Sequence, residues 1–152
     1  MANKLVDEKT GRYLPVLYPE EKPFWDAARA HRLMLQKCSD CGNVWYPIGP
    51  ACPACFSPKF EWAEMSGRGV LHNYVVYHKA WTPWFEKRVP YAVIQVELEE
   101  GPRLTTNLFE CAIADIKIGM RVEVTYEDIT EEITLVQFRP QRQQPAASTA
   151  RR

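Results

Sequence analysis

The chain has 152 residues, of which 46% are hydrophobic, and it carries 19 acidic and 19 basic side chains. This composition is typical of a globular protein with room for one modest domain and small attachments. The net charge of zero disfavours nucleic acids and anionic membranes as ligands, because both attract a basic excess. No stretch is apolar for long enough to span a membrane, and residues 1–8 lack the apolar core of a secretory signal, so we expect a reducing, cytoplasmic compartment.

The first regular element is predicted after an N-terminal extension of residues 1–18. Acidic residues come first, and Phe24, Ala28 and His31 then follow at helical spacing. This pattern predicts a helix, which we assign to residues 19–32. Trp25 lies beside the Phe24 stripe, so it is expected either to face a partner protein or to pack the helix onto the rest of the chain.

Four cysteines in two C-x-x-C pairs follow the helix, at Cys38, Cys41, Cys52 and Cys55. Each pair places two sulfur atoms in one turn, and two such turns supply the four ligands of a tetrahedral ion. The short apolar runs on either side of the first pair resemble the strands of a zinc ribbon, which we assign to residues 33–60. With all four positions filled by protein, such a site is structural, and its metal supplies most of the folding free energy of this segment.

Other uses of paired cysteines fit this segment less well. A thioredoxin-like redox site has a single C-x-x-C at the start of a helix, whereas here two pairs lie among prolines. A disulfide framework is typical of secreted domains. Four thiolates also bind a single iron, as in rubredoxins, and spacing alone does not separate iron from zinc.

A β domain is predicted over residues 61–140. Apolar and polar residues alternate in residues 70–77 and 91–98, and further strands are predicted at residues 104–108, 121–126 and 134–138. Residues 99–102 form a turn, and residues 112–117 are predicted as a short helix. Three strands, a helical insert and two closing strands are typical of an OB-fold, a partly open five-stranded barrel.

The connection between the first two barrel strands, residues 77–91, holds five large aromatic side chains and two prolines. One interpretation is a docking loop in which Trp81, Trp84 and Phe85 are buried against another subunit or an acyl chain. Its basic residues then meet phosphate or carboxylate groups. The other interpretation is that the loop folds over its own barrel, but a small barrel has little core in which to bury so much aromatic surface.

Two features receive no catalytic role. Cys111 follows a strand with no histidine nearby in sequence, so we interpret it as a buried, inert thiol. Residues 141–152 are polar and without periodicity, which predicts a tail that is disordered unless a partner orders it. The chain also lacks the sequence motifs of common catalytic and nucleotide-binding sites, so we do not expect it to be an enzyme alone.

The whole pattern resembles the zinc-ribbon/OB-fold proteins associated with acyl-CoA enzymes. The resemblance covers residues 18–140 and rests on the Pro-Phe-Trp helix, the two cysteine pairs, Ser-Gly-Arg-Gly at residues 66–69, Gly-Pro-Arg at 101–103 and Ile-Gly-Met at 118–120. It implies a mainly β fold with an N-terminal helix, a rubredoxin-like zinc ribbon and a five-stranded OB-fold barrel. It also implies a structural Zn²⁺ bound by the four cysteines.

The function that the resemblance implies is that of an accessory subunit in a hetero-oligomer with a thiolase-like protein. The partner carries the catalytic cysteine and acts on a 3-oxoacyl-CoA, such as one derived from an aromatic or steroid compound, by thiolytic cleavage or condensation. This chain braces or completes the acyl-CoA site, where a coenzyme A thioester is shared. The predicted partner or acyl-CoA contacts are Trp25, Lys79, Trp81, Trp84, Phe85, Lys87 and Arg88.

Two other functions stay open at this point. Zinc ribbons and OB-folds also bind single-stranded nucleic acid through aromatic side chains in a basic groove, and here the aromatic residues are present without the basic excess. A free-standing acyl-CoA-binding protein is the third alternative. Because a five-stranded barrel fills its interior with side chains, its ligand would lie in a surface cleft.

Overall fold

The structure is a computed structural model, and it describes residues 6–142. Residues 1–5 of the predicted extension and residues 143–152 of the predicted tail lie outside the described residues. The regular structure of the described chain is mainly β, in two antiparallel sheets, with one short α-helix before them. Nowhere in residues 6–142 does a helix have the length and apolar character needed to cross a bilayer.

The helix α1 spans Lys22–Arg29 and follows a 3₁₀ turn at Pro19–Glu21. Phe24 and Ala28 form its buried face, as the helical spacing predicts. The helix is shorter than the predicted 19–32, because His31 adopts a left-handed φ of 53° and leads the chain out of the helix. The His31 ring is therefore not on the buried face. It stacks on Tyr126 with centroids 5.0 Å apart.

The first sheet is the ribbon. It consists of β1 (Met34–Cys38), β2 (Val44–Trp45) and β3 (Phe60–Glu64), in the order β2-β1-β3. Leu33, Leu35 and Met65 from this region are buried in the same apolar cluster as the barrel core. The ribbon and the barrel therefore share one core, and the strand that ends at Cys38 is one of the elements that builds it.

The second sheet is a nearly closed antiparallel barrel, the predicted OB-fold. Its strands are β4 (Arg68–Tyr77), β5 (Tyr91–Leu98), β6 (Arg103–Asn107), β7 (Arg121–Asp128) and β8 (Thr134–Pro140), in the order β6-β5-β4-β7-β8. A parallel bridge between Leu108 and Phe138 joins the end of β6 to β8 and closes most of the barrel. The insert predicted as a helix at residues 112–117 is a single 3₁₀ turn at Ile113–Asp115.

Strict alternation along β5 sets the inside and outside of the barrel. Ala92, Ile94, Val96 and Leu98 point inward and are at most 4% exposed, whereas the residues between them face outward. Successive side chains of a strand point to opposite faces, so the period-two pattern of the sequence places one full row in the core. Buried side chains from the other strands complete the core: Leu71, Leu104, Val122 and Phe138.

Two glycines allow the barrel strands to approach closely. A Cβ atom on Gly69 would lie 2.4 Å from the carbonyl oxygen of Glu97 and 2.8 Å from Cγ1 of Val96. Gly67 has a left-handed φ of +71°, and a Cβ atom there would lie 2.3 Å from Cγ1 of Val124. At Gly69 the obstacle is backbone, which cannot rotate away as a side chain can. Residue 69 must therefore be glycine for β4 to pair with β5 in this register.

We expect Gly69→Ala to lower the free energy of unfolding by about 2 kcal/mol, the usual cost of forcing an extra carbon atom into a packed core. Urea denaturation followed by circular dichroism measures the change. Gly49→Ala is the matched control, since the nearest atom to a Cβ atom there is Nε1 of Trp45 at 4.0 Å. Equal stability of the two variants would show that β4 and β5 are not held as closely as described.

Candidate metal centre and aromatic surface

The four predicted metal ligands converge on one point. The Sγ atoms of Cys38, Cys41, Cys52 and Cys55 all lie within 4.8 Å of one another. The sulfur atoms of Cys38 and Cys55 are 3.6 Å apart, as are those of Cys41 and Cys52. Tetrahedral zinc with bonds of about 2.3 Å separates its sulfur ligands by about 3.8 Å. The cluster therefore has the size and the donor set for one such ion.

Both cysteine turns share the same backbone arrangement. The N–H of Gly42 donates to the carbonyl of Cys38 at 3.0 Å, and the N–H of Phe56 donates to the carbonyl of Cys52 at 2.8 Å. The donor residue is left-handed in each turn, with φ of 75° at Gly42 and 60° at Phe56. Glycine adopts this conformation without strain, but phenylalanine does not. The Phe56 side chain is 82% exposed, so burial within this chain does not offset the strain of its left-handed backbone.

Backbone N–H groups favour a thiolate on the first cysteine of each pair. The N–H of Cys41 is the main cause that lowers the pKa of Cys38. Burial raises the pKa of Cys52, but the N–H groups of Cys55 and Ala54 outweigh it and lower the pKa to about 6. The N–H of Ser57 lowers the pKa of Cys55, but the sulfur atoms of Cys41 and Cys38 outweigh it and raise the pKa to about 12. Four thiolates so close together repel one another, and a divalent cation removes that repulsion.

The surroundings of the cluster are those of a structural site. Cys38 and Cys52 are buried with Trp45, and Phe60 packs against them. The side-chain N–H₂ group of Asn43 lies 3.7 Å from the sulfur of Cys52, where it donates to a thiolate. Because four cysteines fill a tetrahedral shell, a bound ion has no position open for water or substrate. The arrangement can stabilise the fold, but it offers no metal-bound nucleophile.

The structure divides the aromatic loop, residues 78–90, into an outer and an inner part. Trp81 is 67% exposed, and the ammonium group of Lys79 lies 4.9 Å from its ring centroid. Phe85 instead stacks on Tyr91 of β5, with centroids 4.1 Å apart. Trp84 is likewise half-buried against the chain itself. Trp81 is therefore the loop aromatic that is most available for contact with another molecule.

The remaining predicted contact residues lie in different settings. Trp25 packs against the core and donates from Nε1 to Glu21 at 3.1 Å, so its indole holds the helix onto the chain. Lys87 and Arg88 are exposed at the end of the loop, and Arg88 donates to the carbonyl oxygen of Trp84 at 2.8 Å. The structure thus brings the loop residues together but leaves Trp25 outside their group.

Sequence reasoning missed Arg12. Its guanidinium lies 4.9 Å from the centroid of Trp84, while that of Arg88 lies 3.5 Å from the same ring. Arg12 is only 9% exposed, and it forms an ion pair with Glu127 at 2.8 Å. No local pattern marks an arginine in an irregular N-terminal segment as buried. Only its contact with a residue 115 positions away does so.

The fifth cysteine, Cys111, is half-buried and packs against the core. Burial raises its pKa, and the nearby carboxylate of Asp115 adds to the shift. A raised pKa lowers the thiolate fraction at neutral pH, which weakens nucleophilicity. The thiol is therefore a weaker nucleophile than an exposed cysteine, although its side chain is less buried than we expected.

The fold and the four-cysteine cluster define a protein that joins a zinc ribbon to an OB-fold barrel. The family model described as "ChsH2, rubredoxin-like zinc ribbon domain" matches residues 25–61, and the model described as "ChsH2, C-terminal OB-fold domain" matches residues 62–127. The chain belongs to this ChsH2 family, also designated DUF35. The resemblance noted from the sequence is therefore confirmed, and so is the mainly β fold.

Several known proteins are similar to this chain. A DUF35 domain-containing scaffold protein of Methanocaldococcus jannaschii is 39% identical over 97 residues, which are 63% of this chain and 68% of that protein. The benzoylsuccinyl-CoA thiolase subunit BbsA of Thauera aromatica is 28% identical over 64% of this chain and 65% of its own length. The solved structure titled "Ltp2-ChsH2(DUF35) aldolase" has a TM-score of 0.75 and 38% identity, and covers 84% of this chain and 98% of that one.

Some relatives are much longer than this chain. A probable enoyl-CoA hydratase alpha subunit of Thermomonospora curvata is 41% identical over 121 residues, which are 79% of this chain but only 37% of that protein. The shared part is therefore one region of the hydratase subunit. Its likeness to this chain does not extend to the rest of that protein.

We expect Cys38→Ser and Cys52→Ser each to lose the bound metal and to make the ribbon sensitive to protease, because the ribbon has little core of its own. Metal analysis should give about one zinc per wild-type chain and almost none in either variant, since each loses one of four ligands. Cys111→Ser is the matched control and should keep its zinc. A serine variant that stays metal-free and protease-resistant would contradict a structural role for the ion.

Proposed function

We propose that this chain is an accessory zinc-binding subunit of a thiolase-type complex acting on a 3-oxoacyl-CoA, by thiolytic cleavage or condensation. The chain contributes no catalytic nucleophile. It braces or completes the acyl-CoA site of a partner that carries one. The observation that most supports this function is the presence of family members named as a scaffold protein, a thiolase subunit and an aldolase component.

The surface of the chain suits a docking role. Trp81 of the aromatic loop is 67% exposed, and tryptophan is enriched at the centres of protein interfaces. Val75 of β4 is 49% exposed and pairs with Val93 of β5, so the outer face of the same hairpin is apolar too. Together Trp81, Val75 and Val93 define the hairpin surface, which an interface would remove from water.

Basic side chains of the aromatic loop suit a shared acyl-CoA. Lys87 is exposed and forms no ion pair among the described residues. Coenzyme A carries phosphate groups, which attract such a side chain. The acyl group itself, aromatic or steroid-derived, would lie on the partner's side. In this arrangement, Lys79, Lys87 and Arg88 contact the phosphate groups of coenzyme A and thereby position its thioester in the partner's site.

The surface charges do not favour the nucleic-acid alternative. Three arginines of the barrel strands are paired with carboxylates: Arg68 with Glu99 at 2.9 Å, Arg103 with Glu97 at 2.7 Å and Arg139 with Glu123 at 2.9 Å. Paired cations attract phosphate only weakly, because the neighbouring anion repels it. The aromatic residues of the barrel therefore lack the basic groove that single-strand binding requires.

Affinity purification of the tagged chain from its own cells at moderate salt is the direct test. We expect a thiolase-like protein in near-equal amount, identified by mass spectrometry, together with zinc. Thiolysis by that protein should then depend on addition of the purified subunit. Recovery of the chain alone, or with single-stranded nucleic acid, would contradict the proposed function.

Trp81→Ala should weaken binding to that partner by about tenfold or more, as expected for a buried interface tryptophan. Calorimetric titration of the purified components measures the change. Tyr18→Ala is the control, because Tyr18 is 57% exposed but precedes the helix and lies outside the loop. An equal loss of affinity in the two variants, or no loss in Trp81→Ala, would show that Trp81 does not form part of the interface.

A further inference from the structure

A cavity lies beneath the inner part of the aromatic loop, between the loop, the N-terminal segment and the barrel. Its volume is about 590 Å³, within the range of small-molecule sites. Its walls are largely apolar and include Phe85, Tyr91, Leu108 and Ile113. Trp84 also lines it, together with the two guanidinium groups of Arg12 and Arg88 that flank the indole.

The charge balance of this cavity is positive. Arg12 and Arg88 contribute two cations, and Glu127 is the one carboxylate in the lining. Both oxygens of Glu127 are already engaged, one by Arg12 at 2.8 Å and the other by Gln137 at 2.8 Å. The cavity can therefore gain one anion without placing it against an unpaired carboxylate of the lining.

Arg12 has donors to spare. A guanidinium carries five N–H groups, and within residues 6–142 only one hydrogen bond is formed by that of Arg12, to Glu127. The residue is 9% exposed, but none of its side-chain nitrogen atoms is among the fully buried polar atoms that lack a partner in residues 6–142, so its remaining donors stay accessible. Arg12 lines the cavity, and a planar anion that enters it can accept hydrogen bonds from two guanidinium donors at once.

We propose that this cavity, the Arg12 pocket, binds a small free carboxylic acid with a flat apolar body. The carboxylate pairs with Arg12, and the body lies among Phe85, Tyr91, Leu108 and Ile113. The pocket is formed by this chain alone and does not depend on the proposed function. Arg12 also lies outside residues 25–127, the part of the chain that the family models match.

The test compares 2-naphthoate with 2-naphthamide, which has the same rings without the charge, on the zinc-loaded full chain. Titration calorimetry should give a dissociation constant for the acid on the order of 1 mM or tighter. The amide should bind at least about tenfold more weakly, because it lacks charge-assisted hydrogen bonds. Equal affinity for the two compounds, or no binding of the acid, would overturn the proposal.

Two variants locate the ligand. Arg12→Gln should remove the preference for the acid over the amide, whereas Arg103→Gln, a surface arginine already paired with Glu97, should keep it. Since Arg12→Gln also leaves Glu127 without its cation, zinc content and circular dichroism must first show that the variant folds.

Ile113→Trp fills the cavity without changing its charge and should abolish binding of both compounds. Binding unchanged in Ile113→Trp would place the ligand elsewhere and overturn the assignment.

Cys111 supplies an independent readout, because its side chain lines the same cavity. Saturating 2-naphthoate should slow alkylation of Cys111 by N-ethylmaleimide several-fold, as measured by mass spectrometry of the Cys111 peptide. An unchanged alkylation rate in the presence of bound acid would show that the ligand does not occupy the pocket.

Discussion

Mutual repulsion of four thiolates is the constraint around which this chain is organised. Sulfur atoms within 4.8 Å of one another cannot all be charged unless a cation lies among them. The same strand that ends at Cys38 carries Leu35 into the core shared with the barrel. Loss of the ion therefore affects more than the two cysteine turns, since it releases one end of a strand on which the helix and the barrel both pack.

The aromatic loop serves two surfaces at once. Trp81 projects to solvent, whereas Phe85 and Trp84 turn back onto the chain, where Tyr91 and two arginines hold them. The inner contacts give the loop a defined position, and that position keeps the outer tryptophan exposed. A loop with only outward aromatic residues would lose all of its conformational entropy at the moment of binding. Here contacts within the chain order much of the loop before any partner binds.

Local patterns predicted the elements of this fold well, because each reflects a local geometric rule. The alternation in β5 identified its buried row, and the two C-x-x-C pairs identified the metal site. The helix end was not predicted, because His31 turns out of the helix to reach Tyr126 on a distant strand. The different exposures of Trp81 and Trp84 were not predicted either. Spacing cannot show which of two nearby tryptophans meets Arg12, a residue about 70 positions earlier in the sequence.

The ion pair between Arg12 and Glu127 also bears on the order in which the protein folds. Glu127 lies near the end of β7, so its carboxylate reaches its final position only after that strand has joined the barrel. A contact between residues so far apart closes a long loop, and such contacts are slow to form. The N-terminal segment is therefore expected to pack against the barrel late, after most of the barrel is assembled. Partly folded chains would lack the ion pair between Arg12 and Glu127, and greater accessibility of Arg12 would distinguish them from the folded protein.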